Sequence, residues 1–122
     1  MSYVAAVLTD EDRAFLLKVM AKHIPADWET ICHHMTVHLG AARSTDALRS
    51  LVGIDYDSFA IDDRVLAVRV CAGGEISDNE TPHITVAVNR AGGGKPMHSN
   101  LLTDWKLLGE TYGACAEIQE IK

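Results

Sequence analysis

The chain has no Cys-x-x-Cys pair, no excess of positive charge and no apolar run of membrane-spanning length. Cys32, Cys71 and Cys115 are odd in number and widely spaced, which argues against a disulfide framework or a zinc site and suits free thiols in a reducing cytoplasm. Asp and Glu number 17 against 11 Lys and Arg, a net charge of −6. Stable non-specific nucleic-acid binding is therefore not expected, since that takes a basic surface able to release counterions. A small nucleotide or an RNA end is still admitted, because a few local residues can supply the positive contacts it needs. No stretch is apolar enough for a membrane partner. Met1 to Leu8 has no basic n-region and meets Thr9-Asp10-Glu11-Asp12 too soon for a secretory leader, so a cytoplasmic location is the expectation.

What the chain does have is a core. With 122 residues, 48% hydrophobic and 23% charged, residues 1–122 read as a single globular domain. Tyr3 to Leu8 predicts a buried strand, and Thr9 caps a helix that carries Phe15, Leu16, Val19 and Met20 at core spacing and stops at Ile24-Pro25. Thr30 to Leu39 predicts a strand, Ser44 or Thr45 caps a short helix through Leu51, and Tyr56–Ile61 and Val65–Cys71 form a hairpin around Asp62-Asp63. Another strand follows over His83 to Val88. A helix capped by Ser99 or Asn100 runs to Leu108, and a last strand covers Ala114 to Ile121. The expectation is an α+β domain with mainly antiparallel strands and helices packed outside.

Two of these strands carry the same pattern, His34-Met35-Thr36-Val37 and His83-Ile84-Thr85-Val86. Six His and eight Thr in this length would give about 0.4 His-x-Thr matches by chance, so two matches, both within apolar alternation, carry information that one would not. Side chains on a strand alternate faces, so His34 and Thr36 share one face, as do His83 and Thr85, while the apolar partners point the other way. If the strands are neighbours, two imidazoles and two hydroxyls converge. That set can hold a phosphate and move protons on both sides of it: one imidazole takes the proton of an attacking water, the other protonates the departing oxygen, and the hydroxyls bind the phosphoryl oxygens. His34, Thr36, His83 and Thr85 are the predicted catalytic residues, and the scheme needs no metal and no cofactor.

These residues resemble those of the two-histidine phosphoesterases, the superfamily that includes the 2′-5′ RNA ligase-like proteins, RNA 2′,3′-cyclic phosphodiesterases and the phosphodiesterase domain of fungal tRNA ligases. Pro82-His83-Ile84-Thr85-Val86, followed by a Gly-rich turn and Lys95-Pro96-Met97-His98-Ser99-Asn100-Leu101-Leu102, is especially similar to the tRNA ligase type and its small stand-alone relatives in RNA repair. The resemblance implies a bilobal fold with each motif on a central strand. It also implies hydrolysis of a 2′,3′-cyclic phosphate at an RNA end or on a small nucleotide. Cyclic di- or oligonucleotide signals and ADP-ribose cyclic phosphate are alternative substrates, and a non-catalytic nucleotide-sensing domain is a further alternative. The motifs lie only 49 positions apart (83 less 34), which leaves little room for a base-recognition lobe.

Other residues are weighed beside the motifs. Lys95 and Ser99 follow three glycines at a helix start and are expected to meet an anion, and Trp28 and Tyr3 are possible base-stacking platforms. His38 shares the face of His34 by strand parity and either touches substrate or is solvated. The same parity puts His33 on the opposite face, in a structural role. His34 and His38 are four strand residues apart, over about 13 Å, too far to share a metal ion. His98 reads as a surface residue, Arg43, Arg69 and Arg90 as phosphate grips without a supporting pattern, and Cys32 as a poor nucleophile despite the parity of His34.

Overall fold

The computed structural model describes residues 2–122. Its regular elements are β1 (Tyr3–Leu8), α1 (Asp10–Met20), β2 (Glu29–Thr30), β3 (His34–Leu39), β4 (Leu51–Ile61), β5 (Val65–Ala72), β6 (His83–Val88) and β7 (Lys106–Ile121), with short 3-10 turns between some of them. All strand pairs are antiparallel. Neighbours follow the order β6, β3, β1, β7, β4, β5, and β5 pairs back to β6, so the sheet closes into a barrel. The architecture is the mixed, mainly antiparallel α+β kind that the sequence predicts, realised as one continuous sheet.

Closure gives each strand an inner and an outer face. Val4, Ala6 and Leu8 of β1, Met35, Ile84, Val68, Tyr56 and Ile118 pack in the main core, to which α1 adds Leu16 and Met20. The helix starts where expected, with the Thr9 hydroxyl accepting from the Asp12 N–H at 3.3 Å. A second cluster, Ala60, Val65, Ala67, Val88 and Leu102 with Ile31 and Trp105 against it, lies on the outer side of β5 and β6. That stretch of wall is covered on both sides, which is why Val65 to Val68 are all buried and show no alternation with polar residues.

Four expectations are corrected. The strand predicted over Thr30 to Leu39 is broken. Glu29 and Thr30 pair with Val88 and Ala87, and Met35 pairs with Ile84, so two extra residues are taken up near Cys32 and His33. Cys32 sits there in the left-handed region, at φ 46°, which bends the chain out of strand geometry. The helix expected from Ser44 or Thr45 does not form. Arg49, at φ 70°, donates its N–H to Ile118 at 2.7 Å, and Ser50 accepts from the Ile118 N–H at 3.0 Å, so β4 begins at Leu51 against β7. The helix expected from Ser99 is a 3-10 turn over Pro96–Leu101 that ends with the Leu102 N–H on the Ser99 carbonyl at 3.2 Å. The chain then enters β7 at Lys106, well before the predicted Ala114. The loop ahead of this turn is fixed at Gly94, where a Cβ would run into the carbonyl oxygens of Arg64 and Asn89. Among the described residues, no helix is long and apolar enough to cross a membrane.

Candidate active site

The barrel makes β3 and β6 neighbours, and the Met35–Ile84 pair fixes their register. One step to either side, His34 stands opposite Thr85 and Thr36 opposite His83. Met35 and Ile84 point into the core, so alternation turns the four motif side chains outward. The two His-x-Thr motifs thus run head to tail, each imidazole facing the other strand's hydroxyl. All four line one cavity of about 390 Å³. Ile31, Leu39, Pro96 and Met97 give it apolar walls, and Asn79 and Asn100 add two amides.

His34 is half-buried. Burial first, and then the neighbouring His33 and His83 imidazoles, push its pKa down to about 4, so its ring is neutral at neutral pH and able to accept a proton. Its Nδ1 lies 2.9 Å from the Nδ1 of His33, and the Tyr3 ring packs on it with centroids 5.4 Å apart. His83 has a different anchor. Its Nδ1 is 2.8 Å from the Thr81 carbonyl oxygen, and because a carbonyl only accepts, this nitrogen carries the hydrogen and Nε2 is left for proton exchange.

The hydroxyls are held as well. Thr85 Oγ1 is 2.8 Å from Ser99 Oγ and 3.4 Å from the Pro96 carbonyl, and Ser99 is 1% exposed. A buried serine bonded to a cavity-lining threonine fixes the rotamer of that threonine. Ser99→Ala strands Thr85 without this partner and is expected to destabilise the fold by about 1 kcal/mol, as for a typical lost hydrogen bond. Urea unfolding measures this, and an unchanged midpoint contradicts it. On β3, the Thr36 carbonyl accepts from the Ser77 hydroxyl at 2.7 Å, and Ser77 Oγ accepts the Asn79 N–H at 3.1 Å. This chain of bonds sets Asn79 at the cavity. No sequence pattern marks Asn79, whereas Asn100 lies inside the Lys95 to Asn100 segment already singled out.

Other expected site residues fall elsewhere. A bulge at Val37 moves the register from Ala5–Thr36 to Val4–His38, so His38 leaves the face of His34 and Thr36. It bonds Asp78 at 2.7 Å, and Arg43 reaches the same carboxylate at 3.2 Å; the His38 ring and then the Arg43 guanidinium hold Asp78 below the usual carboxylate range. Trp28 packs against the main core instead of the cavity. Lys95 is exposed at the start of the 3-10 turn, outside the cavity lining, with its N–H on His98 Nδ1 at 3.1 Å. Ser99 acts through Thr85. His33 adjoins His34 because the bulge at Cys32 defeats strand parity. Cys32 itself is fully buried, and burial pushes its thiol up to about 11, which removes it as a nucleophile. Of the three arginines considered, Arg69 is the cross-strand partner of His83, while Arg90 pairs with Glu29 at 3.0 Å.

A second cavity of about 390 Å³ lies on the far side of β3, lined by Val4, Val37, Leu48, Val52 and Ile118 with His38 and Asp78. Its one imidazole, His38, is already bonded to the Asp78 carboxylate that lines the same cavity. Comparison with protein-family models, curated proteins and solved structures gives no match for this chain.

Proposed function

We propose that the cavity between β3 and β6 hydrolyses a 2′,3′-cyclic phosphate at an RNA end or on a small nucleotide, by acid–base catalysis from His34 and His83. The observation that supports this most is the Met35–Ile84 register, which sets the two motifs head to tail around one cavity. His34, neutral with a pKa of about 4, is the base: its Nε2 takes a proton from water as the water oxygen bonds to phosphorus. The bond from phosphorus to one ribose oxygen breaks, and that oxygen receives the proton from His83 Nε2. Thr36 and Thr85 donate hydrogen bonds to the non-bridging oxygens. After the phosphomonoester leaves, His34 gives up its proton to solvent and His83 is reprotonated. No step calls on a metal or cofactor.

The finer fold reading goes with this one: β3 and β6 correspond to the central strands of the bilobal 2′-5′ RNA ligase-like architecture, compacted into one closed sheet. A cytoplasmic role in RNA end repair follows from the same reading. A sensing domain that only binds a nucleotide has no use for the paired imidazoles.

Incubation in EDTA with nucleoside 2′,3′-cyclic monophosphates and with a short RNA ending in a 2′,3′-cyclic phosphate tests the reading. Turnover to a single regioisomer of the monoester is expected, and no turnover of any of them contradicts it. A hydrogen bond to a charged group is worth roughly 1.5–3 kcal/mol, so Thr36→Ala and Thr85→Ala are each expected to lower kcat about 10- to 150-fold. Wild-type rates in both threonine variants would remove the hydroxyls from the mechanism.

A further inference from the structure

His33 has no part in the reaction as written, yet its ring meets that of His34. The Nδ1 atoms are 2.9 Å apart, and the rings stand nearly perpendicular, at 82°, with centroids separated by 5.1 Å. Two imidazole nitrogens at that distance share one proton, because two N–H groups or two lone pairs aimed at each other repel. The tautomer of His34 is therefore set together with that of His33. The bulge at Cys32 makes this contact possible, since on a regular strand consecutive side chains point to opposite faces.

We propose that His33 is a positioning residue: its Nδ1 accepts the Nδ1–H of His34, which keeps the lone pair of His34 on Nε2 and available to the cavity. This rests on the reading of His34 as the base of a phosphodiesterase. His33 is exposed, so water can serve the Nε2–H that this arrangement leaves on it. When His34 Nε2 takes the proton of the attacking water, the Nδ1–H bond to His33 persists and keeps the ring in the same orientation through the step. The other groups that meet His34 are the Tyr3 ring from β1 and, from β6, Thr85 opposite it in register and His83 nearby. Of the titratable neighbours, His33 and His83 disfavour a charge on His34, after burial.

The test is long-range proton–nitrogen NMR on protein labelled with nitrogen-15 in histidine, compared between wild type, His33→Ala and His33→Asn, with kcat/KM measured beside it. Wild-type His34 is expected to carry its hydrogen on Nδ1. In His33→Ala it is expected to move to the Nε2-protonated form, with a titration midpoint raised by the loss of the neighbouring imidazole, and kcat/KM is expected to fall about 10- to 100-fold, the usual cost of removing an orienting partner. In His33→Asn the amide oxygen stands where Nδ1 stood, so the Nδ1-protonated form and most of the activity return. An Nε2-protonated His34 in the wild type, or a tautomer and midpoint unchanged by His33→Ala, overturns the proposal. The spectra need no turnover, so the two readings fail separately. An inactive protein with Nδ1-protonated His34 refutes the reaction and the catalytic role given to His33, and an active protein whose His34 ignores His33→Ala refutes the positioning role alone.

Discussion

His34→Ala and His83→Ala are each expected to lower kcat for a 2′,3′-cyclic phosphate by about 10²–10⁴-fold, the range over which a positioned acid or base accelerates a reaction. The two losses should not multiply in the double variant, because ring opening needs a proton removed from water and a proton supplied to the leaving oxygen in one event. Both side chains lie on the outer wall of the barrel and outside the main core, so the variants should keep the wild-type circular dichroism spectrum and unfold cooperatively. Steady-state kinetics on the folded variants measure the effect. Wild-type turnover in either single variant would mean that the proton on that side comes from elsewhere.

The second large effect concerns stability. His34 is held at about 4 in the folded protein, chiefly by burial and then by His33 and His83, against about 6.5 for an unperturbed histidine. Above pH 6.5 the ring is neutral in both states and costs nothing. As pH falls through 6.5 the unfolded chain takes up the proton first, so stability declines, and the full loss is reached below about pH 4, where both states are protonated. The span corresponds to about 3 kcal/mol. His34→Gln cannot titrate, so the wild-type and variant free energies of unfolding, measured in urea at several pH values, are expected to diverge by that amount between pH 6.5 and 4. Carboxylates titrating in the same range affect both proteins and drop out of the difference. Parallel curves would show that the folded barrel takes up a proton at His34 as readily as the unfolded chain does.

Where local rules decide the structure, the sequence was readable. β1 and β6 have the predicted ends, Thr9 caps α1, and Asp62 closes the predicted hairpin by accepting from the Arg64 and Val65 N–H groups at 2.8 and 2.9 Å. The apolar residues of both motifs face inward as alternation requires. Bulges were not readable, because an extra residue on one strand is decided by what its partner offers. The register shifts at Cys32 and Val37 are the reason that His33 joins the site and His38 leaves it. The first half of β7 was hidden for a related reason: Leu107 is 75% exposed and Gly109 is at φ 94°, so the segment lacks the two-residue period that marks a strand. Asn79 reaches the cavity through a bond between Ser77 and the carbonyl of Thr36, 41 residues away in the chain, a contact only the folded chain makes.

The most direct test of the central claim is phosphorus-31 NMR of a nucleoside 2′,3′-cyclic monophosphate mixed with the protein in excess EDTA, followed beside the His34→Ala, His83→Ala double variant. The resonance of the strained cyclic diester should be replaced by that of one monoester with the wild type and persist with the double variant. A cyclic resonance that persists with both proteins, or is lost equally fast with both, contradicts catalysis by these two histidines.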